Sequence, residues 1–115
     1  MGLGLQIQLE QIEDRLIVRL EGRLDAPSCP VLERKLTTLI EEKHLYLLLD
    51  FTSVEYLSSA GMRVLLHASK KLKEKKGFLL VFSAPDEVAE IIRMAGFEKA
   101  LHLTSSEKDA LQYRP

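Results

Sequence analysis

The chain has 115 residues, 46% of them hydrophobic and 29% charged, with a formal net charge of -1; that is enough for one domain burying roughly two-thirds of its unfolded surface. A charge so near zero lacks the positive excess of a nucleic-acid binder, and one cysteine cannot close an internal disulfide. Uninterrupted apolar runs such as Leu45–Leu49 and Phe78–Phe82 are too short to cross a bilayer, so neither nucleic acid nor a membrane is an expected partner.

The start, MGLGLQIQLEQ, has neither the basic region nor the apolar core of a signal peptide. Gln6 stands where an N-myristoylation motif on Gly2 wants Ser or Thr. A cytoplasmic protein is the expectation. Leu5, Ile7 and Leu9 alternate with Gln6, Gln8 and Glu10, the period of a strand with one buried face. Leu16, Val18 and Leu20 repeat it after Glu13-Asp14, which predicts a hairpin. The second strand runs into Gly22-Arg23-Leu24-Asp25, where Gly22 suits a bulge or bend.

Ala26-Pro27-Ser28 breaks the strand, and Ser28-Cys29-Pro30 predicts a helix start with Pro in the first turn. Cys29, Leu32, Leu36, Leu39 and Ile40 share one helical face, so Cys29 reads as a small buried hydrophobe. Leu45–Asp50 is apolar on successive residues, the mark of a strand covered on both sides. After Ser58-Ser59-Ala60-Gly61 a helix buries Gly61, Val64, Leu65, Ala68 and Leu72. Its far end is rich in lysine, a solvated end that suits the helix dipole.

Phe78–Phe82 is a second continuous strand, completing a strand–helix–strand unit. Ser83-Ala84-Pro85-Asp86-Glu87 opens the next helix, with Val88, Ile91, Ile92 and Ala95 as its apolar face and Gly96-Phe97 as its stop. Leu101-His102-Leu103 predicts a short last strand. Thr104 and Glu107 have capping-box spacing for a final helix to about Tyr113. The expected fold is α/β, one domain over 1–115, with a mixed, mostly parallel β-sheet in the order β-β-α-β-α-β-α-β-α. Parallel strands put their carboxyl ends on one edge, which should gather Asp25, a Thr52–Gly61 loop and Ser83–Pro85.

Along that edge the serines are the most informative residues. A serine between a buried strand and a helix start sits among backbone N–H groups without intrahelical partners, at the positive end of the helix dipole. Ser58 and Ser59 are equally good helix caps, and position alone does not choose between them. A catalytic serine is disfavoured: Ser-Ser-Ala-Gly lacks the glycines of G-x-S-x-G, and neither His67 nor His102 is placed to activate a hydroxyl. His44, His67, His102 and Cys29 show no metal-ligand spacing, and no Gly-rich phosphate loop occurs, so neither metal nor cofactor is expected.

The residues Asp50-Phe51-Thr52-Ser53-Val54-Glu55-Tyr56-Leu57-Ser58-Ser59-Ala60-Gly61 closely resemble the signature of STAS domains, specifically bacterial anti-sigma factor antagonists. Gly22-Arg23-Leu24-Asp25 resembles the family's upstream G-x-hydrophobic-D element, Ala95-Gly96-Phe97 its later turn, and Thr104–Leu111 its closing helix. The resemblance spans essentially the whole chain. It implies a STAS fold and a protein with no catalysis of its own. Unphosphorylated, it would bind an anti-sigma factor that is also a serine kinase, freeing a sigma factor for transcription. The kinase would phosphorylate Ser59, the antagonist would let go, and a serine phosphatase would reset it. Asp25, Ser58, Ser59 and Met62, with neighbouring residues of the second helix, would lie on the contact surface. Ser58 replaces the family's common Asp and Ala60 a common Ser or Thr, which makes Ser58 a rival acceptor. The alternative is a STAS scaffold or adaptor of a stress-signalling or lipid-transport complex without a phosphorylation cycle. An enzyme using Ser59 or Asp50 as nucleophile is the reading from another class. An apolar patch around Leu3, Leu5 or Ile17 would allow weak pairing of two copies.

Overall fold

The computed structural model describes residues 4–115, so the expectation placed on Leu3 lies outside the described residues. The polar turn at Glu13-Asp14 joins β1 (Leu5–Ile12) to β2 (Arg15–Leu24) as a two-residue antiparallel hairpin, with Ile12 opposite Arg15 and Leu5 opposite Gly22. Glu13 takes φ 55 in that turn. The expected bend is at Gly22, which has φ +121 and lies beside a shift in register between β2 and its next neighbour. A Cβ there would fall 1.6 Å from the Gly4 carbonyl oxygen, so only Gly lets the two strands meet.

The sheet order is β1-β2-β3-β4. β3 (Tyr46–Leu57) and β4 (Phe78–Phe82) pair in parallel, as do β2 and β3. The class is therefore α/β with a mixed sheet: three parallel strands and one antiparallel edge. Helix α1 (Cys29–Glu41) connects β2 to β3, and α2 (Ser59–Glu74) connects β3 to β4. Helices α3 (Asp86–Met94) and α4 (Glu107–Gln112) follow. None of these helices is long and apolar enough to cross a membrane, among the described residues.

Both faces of the sheet are covered, which explains the continuous apolar runs. Leu16, Val18, Leu47, Leu49, Leu79 and Val81 face the α1–α2–α3 layer. Ile17, Leu48, Leu80 and Phe82 face the other way, packed with Ala110 of α4. Ile17 is 0% exposed, so it is not part of a pairing patch: α4 folds over the face on which it was expected to lie open. Leu5 is half-buried against the larger cluster.

Three local expectations are corrected. Thr52–Leu57 is not a loop but the second half of β3, because β2 runs on alongside it, pairing Glu21 with Ser53 and Leu24 with Leu57 across two register shifts. The last strand is reduced to one parallel bridge, Phe82 with Thr104; Val81 N–H donates to the Leu101 carbonyl at 3.0 Å, and Thr104 N–H to that of Val81 at 2.9 Å. Finally, the cap of α4 is Ser106, whose hydroxyl accepts from Asp109 N–H at 3.1 Å, and not Thr104, whose own hydroxyl donates back to the His102 carbonyl.

Candidate functional site

Where β3 gives way to α2, the chain is held by the end of β2. Ser58 N–H donates to the Leu24 carbonyl at 2.8 Å. Gly61 lies against the same carbonyl: a Cβ there would sit 2.9 Å from the Leu24 oxygen and 2.9 Å from Leu57 Cδ1. The glycine of the Ser-Ser-Ala-Gly run thus permits the close approach that fixes the helix start.

The two serines divide the work. Ser58 has extended backbone (φ -85, ψ 170), and its hydroxyl accepts from Gly61 N–H at 3.0 Å, so Ser58 is the helix cap. Ser59 is the first residue of the helix and is exposed. Its hydroxyl makes no hydrogen bond among the described residues. It stands where unsatisfied backbone N–H groups and the helix dipole favour negative charge.

Ser58, Ser59 and Met62 line an open groove of about 350 Å³ between α2 and α3, with Arg63 and Leu66 on the same side. Ile91, Ala95 and Phe97 form its other wall. Met62 is only 6% exposed, so it belongs to the floor of the groove. Arg63 and Leu66 fall among the neighbouring second-helix residues expected there but were not singled out, and the α3 wall was not expected. Arg63 follows Ser59 at one helical turn and was accessible to the i, i+4 rule. The α3 wall depends on how α3 docks, for which the sequence carries no local signal.

Asp25 follows Leu24, adjoining the helix start through the Leu24–Ser58 bond, but it is not in the groove lining. Its carboxylate accepts Ser28 N–H at 3.2 Å and pairs with Arg23 Nε at 3.4 Å. Desolvation pushes this carboxyl up, but the Ser28 hydrogen bonds and Arg23 outweigh it and hold it below the ordinary value. Buried Ser28 locks the turn, its hydroxyl donating to the Arg23 carbonyl at 2.6 Å and accepting Asp25 N–H at 3.0 Å. Cys29 is buried, and burial pushes its thiol up. That is a packed side chain and not a reactive one.

The other groups weighed for chemistry are committed elsewhere. Asp50 accepts from Thr52 N–H at 2.9 Å and Thr52 Oγ1 at 2.6 Å, and pairs with Arg19 at 2.8 Å. His102 Nδ1 lies 3.0 Å from the Leu79 carbonyl, its ring against Tyr113. The loop Ser83–Pro85 does reach the carboxyl edge, where Pro85 and Asp86 face Thr52, Ser53 and Glu55 across a wide cleft. That cleft is separate from the Ser59 groove. No group of three or more His, Cys, Asp or Glu is arranged to hold a metal among the described residues.

With this geometry in place, comparison with known proteins gives one family. The STAS domain model matches residues 6–110. Among relatives, BtrV of Bordetella bronchiseptica is 26% identical over 106 residues, covering 92% of this chain and 91% of that protein. The anti-sigma F factor antagonist of Paenibacillus polymyxa is 26% identical over 110 residues, covering 95% and 94%. The crystal structure of an anti-sigma factor antagonist from Mycobacterium paratuberculosis matches with a TM-score of 0.85 at 26% identity, covering 94% of this chain and 92% of that one.

Proposed function

This chain belongs to the STAS domain family, and from that premise we propose that it is an anti-sigma factor antagonist switched by phosphorylation of Ser59. The unmodified protein binds an anti-sigma factor with serine-kinase activity through the α2–α3 groove and its rim. Binding frees a sigma factor and so regulates transcription. The kinase transfers the γ-phosphoryl group of ATP to the Ser59 oxygen. The P–O bond to ADP breaks, the new O–P bond forms, and the hydroxyl proton passes to a base of the kinase. The modified antagonist leaves, and a serine phosphatase hydrolyses the ester.

The observation that carries this reading is the division between the serines. Ser58 has its hydroxyl tied to Gly61 N–H, while the Ser59 hydroxyl, at the rim of the apolar groove, has no hydrogen bond among the described residues. Of the two acceptors, Ser59 is therefore the one a kinase reaches without breaking a cap. Phosphate would add about -1.5 to -2 charges at that rim. The helix N-terminus tolerates such charge, contributing up to ~1 kcal/mol at an exposed site, so the antagonist keeps its fold. A partner packed over Ser59 instead meets bulk and a desolvation cost, with repulsion from any acid it brings near.

Incubation with a cognate anti-sigma factor kinase and ATP should place one phosphate on the peptide containing Ser59. Ser59→Ala should abolish labelling, and the phosphorylated protein should bind the kinase at least tenfold more weakly. Labelling that survives Ser59→Ala and disappears with Ser58→Ala would move the switch to the cap residue. Kinase binding indifferent to phosphate would leave a STAS scaffold.

A further inference from the structure

Resting on the reading of Ser59 as the phosphoacceptor, we infer that Arg63 is the counter-charge that receives the phosphate, and that pairing with it draws the Arg63 side chain across the Ser59 end of the α2–α3 groove. Phosphorylation then acts on the docking surface twice. It adds negative charge at the rim, and it moves a long side chain into the space a partner would fill.

The residues stand at i and i+4 on α2, the spacing at which helical side chains are neighbours. Helical side chains lean back toward the N-terminus, so Arg63 leans toward Ser59 and not away from it. Both residues line the same groove. Arg63 also lines a second cleft, of about 280 Å³, beside Cys29, Glu33 and His67. It therefore occupies the ridge between two open spaces and has room on either side.

Arg63 is also uncommitted. It is exposed, and it enters no ion pair among the described residues. Arg19, by contrast, holds Glu10, Asp50 and Glu107. Arg23, a cation that follows the same edge, is engaged by Asp25 at 3.4 Å and stacked over the Tyr56 ring at 4.6 Å. A phosphate on Ser59 would share the edge with the Asp25 carboxylate, and among the described residues Arg63 is a guanidinium there without an ion pair to give up. Its planar fork can meet two phosphate oxygens at once, which a lysine cannot do.

The test uses the full chain with phosphoserine genetically encoded at position 59, prepared without any kinase. In 1H–15N spectra the Arg63 Nε–Hε correlation should shift downfield on phosphorylation and exchange more slowly with solvent. Raising the salt to about 1 M should move it part of the way back, because an exposed pair is screened. In Arg63→Gln the 31P resonance should move toward that of an unstructured phosphoserine peptide, with Arg63→Lys in between. An Arg63 correlation unchanged by phosphate overturns the inference, and this holds even if the variants fold poorly. Because the phosphoserine is encoded genetically and no kinase is used, that outcome is distinct from failure of the functional reading, which shows as a kinase that does not label Ser59.

Discussion

The Leu24 carbonyl oxygen, which accepts Ser58 N–H at 2.8 Å, would also lie 2.9 Å from a Cβ at residue 61. One backbone group at the end of β2 thus both fastens the start of α2 and forbids a side chain on the helix residue facing it. Gly61→Ala sets two effects against each other. Alanine gains ~0.8–1 kcal/mol of helix propensity, while overpacking against a backbone oxygen and Leu57 costs ~1–3 kcal/mol. The clash should win, because one of the atoms met is backbone. A lower urea midpoint at unchanged m-value is the expected result, together with weaker kinase binding as Ser58 and Ser59 shift. A midpoint that rises would mean the helix start relaxes freely.

Stability should separate the two serines even before any kinase is added. Ser58→Ala removes the hydroxyl that satisfies Gly61 N–H and should cost ~1 kcal/mol. Ser59→Ala removes an exposed hydroxyl and should change stability by less than about 0.5 kcal/mol. Urea denaturation of both variants decides it, and equal losses would contradict the assignment of the cap.

What the sequence made legible follows from what is local. Strand period, the glycine bend at Gly22 and the Gly96 helix stop depend on neighbours along the chain. The bend and the stop are present: Gly96 has φ +82, and Phe97 N–H returns to the Ile92 carbonyl at 3.1 Å. The period holds except at Leu9, expected on the buried face of β1 but 42% exposed. The serine pair was visible because a strand, two hydroxyls and a glycine are contiguous. Its division of roles was not, since the cap is chosen by the Leu24 contact, 34 residues earlier in the chain. The second half of β3 was missed for a related reason. Thr52, Ser53 and Glu55 look like loop residues, yet they are the exposed positions of a strand whose Val54 and Leu57 are buried. Arg19 was unremarkable in sequence and became the centre of three carboxylates only when β1, β3 and α4 converged.

That convergence predicts an acid-sensitive fold. Desolvation raises the Asp50 carboxyl, but hydrogen bonds from Thr52 and the Arg19 pair outweigh it, leaving Asp50 below its ordinary value near 3.8. A carboxyl lowered in the folded state binds fewer protons there than in the unfolded chain, so stability increases with pH through this range. The contribution is complete above the unfolded value and is lost as pH falls through the lower, folded one. Asp50→Asn keeps the size but loses the charge and should cost ~1.5–3 kcal/mol at pH 7. The variant should also show a shallower loss of stability below about pH 4. Parallel acid titrations of the unfolding midpoint in wild type and variant test this, and superimposable curves would remove Asp50 from the account.

Ile17 offers a prediction in which the sequence and the structure part company. An Ile at the surface of a half-open sheet could pair two copies, and its truncation would then change association while leaving stability within about 0.5 kcal/mol. In the fold Ile17 is 0% exposed and packs with Leu48, Leu80 and Ala110 under α4. Cutting it to alanine removes buried methyl and methylene groups and leaves a cavity that a helix of six residues closes poorly, so Ile17→Ala should cost ~2–5 kcal/mol. Leu9, 42% exposed on β1, is the natural control, and Leu9→Ala should lie within about 0.5 kcal/mol of wild type. Urea denaturation and light scattering on the same samples separate the cases. A large loss of stability for Ile17→Ala at unchanged molar mass supports the covered face, whereas a change in mass at unchanged stability would restore the pairing patch.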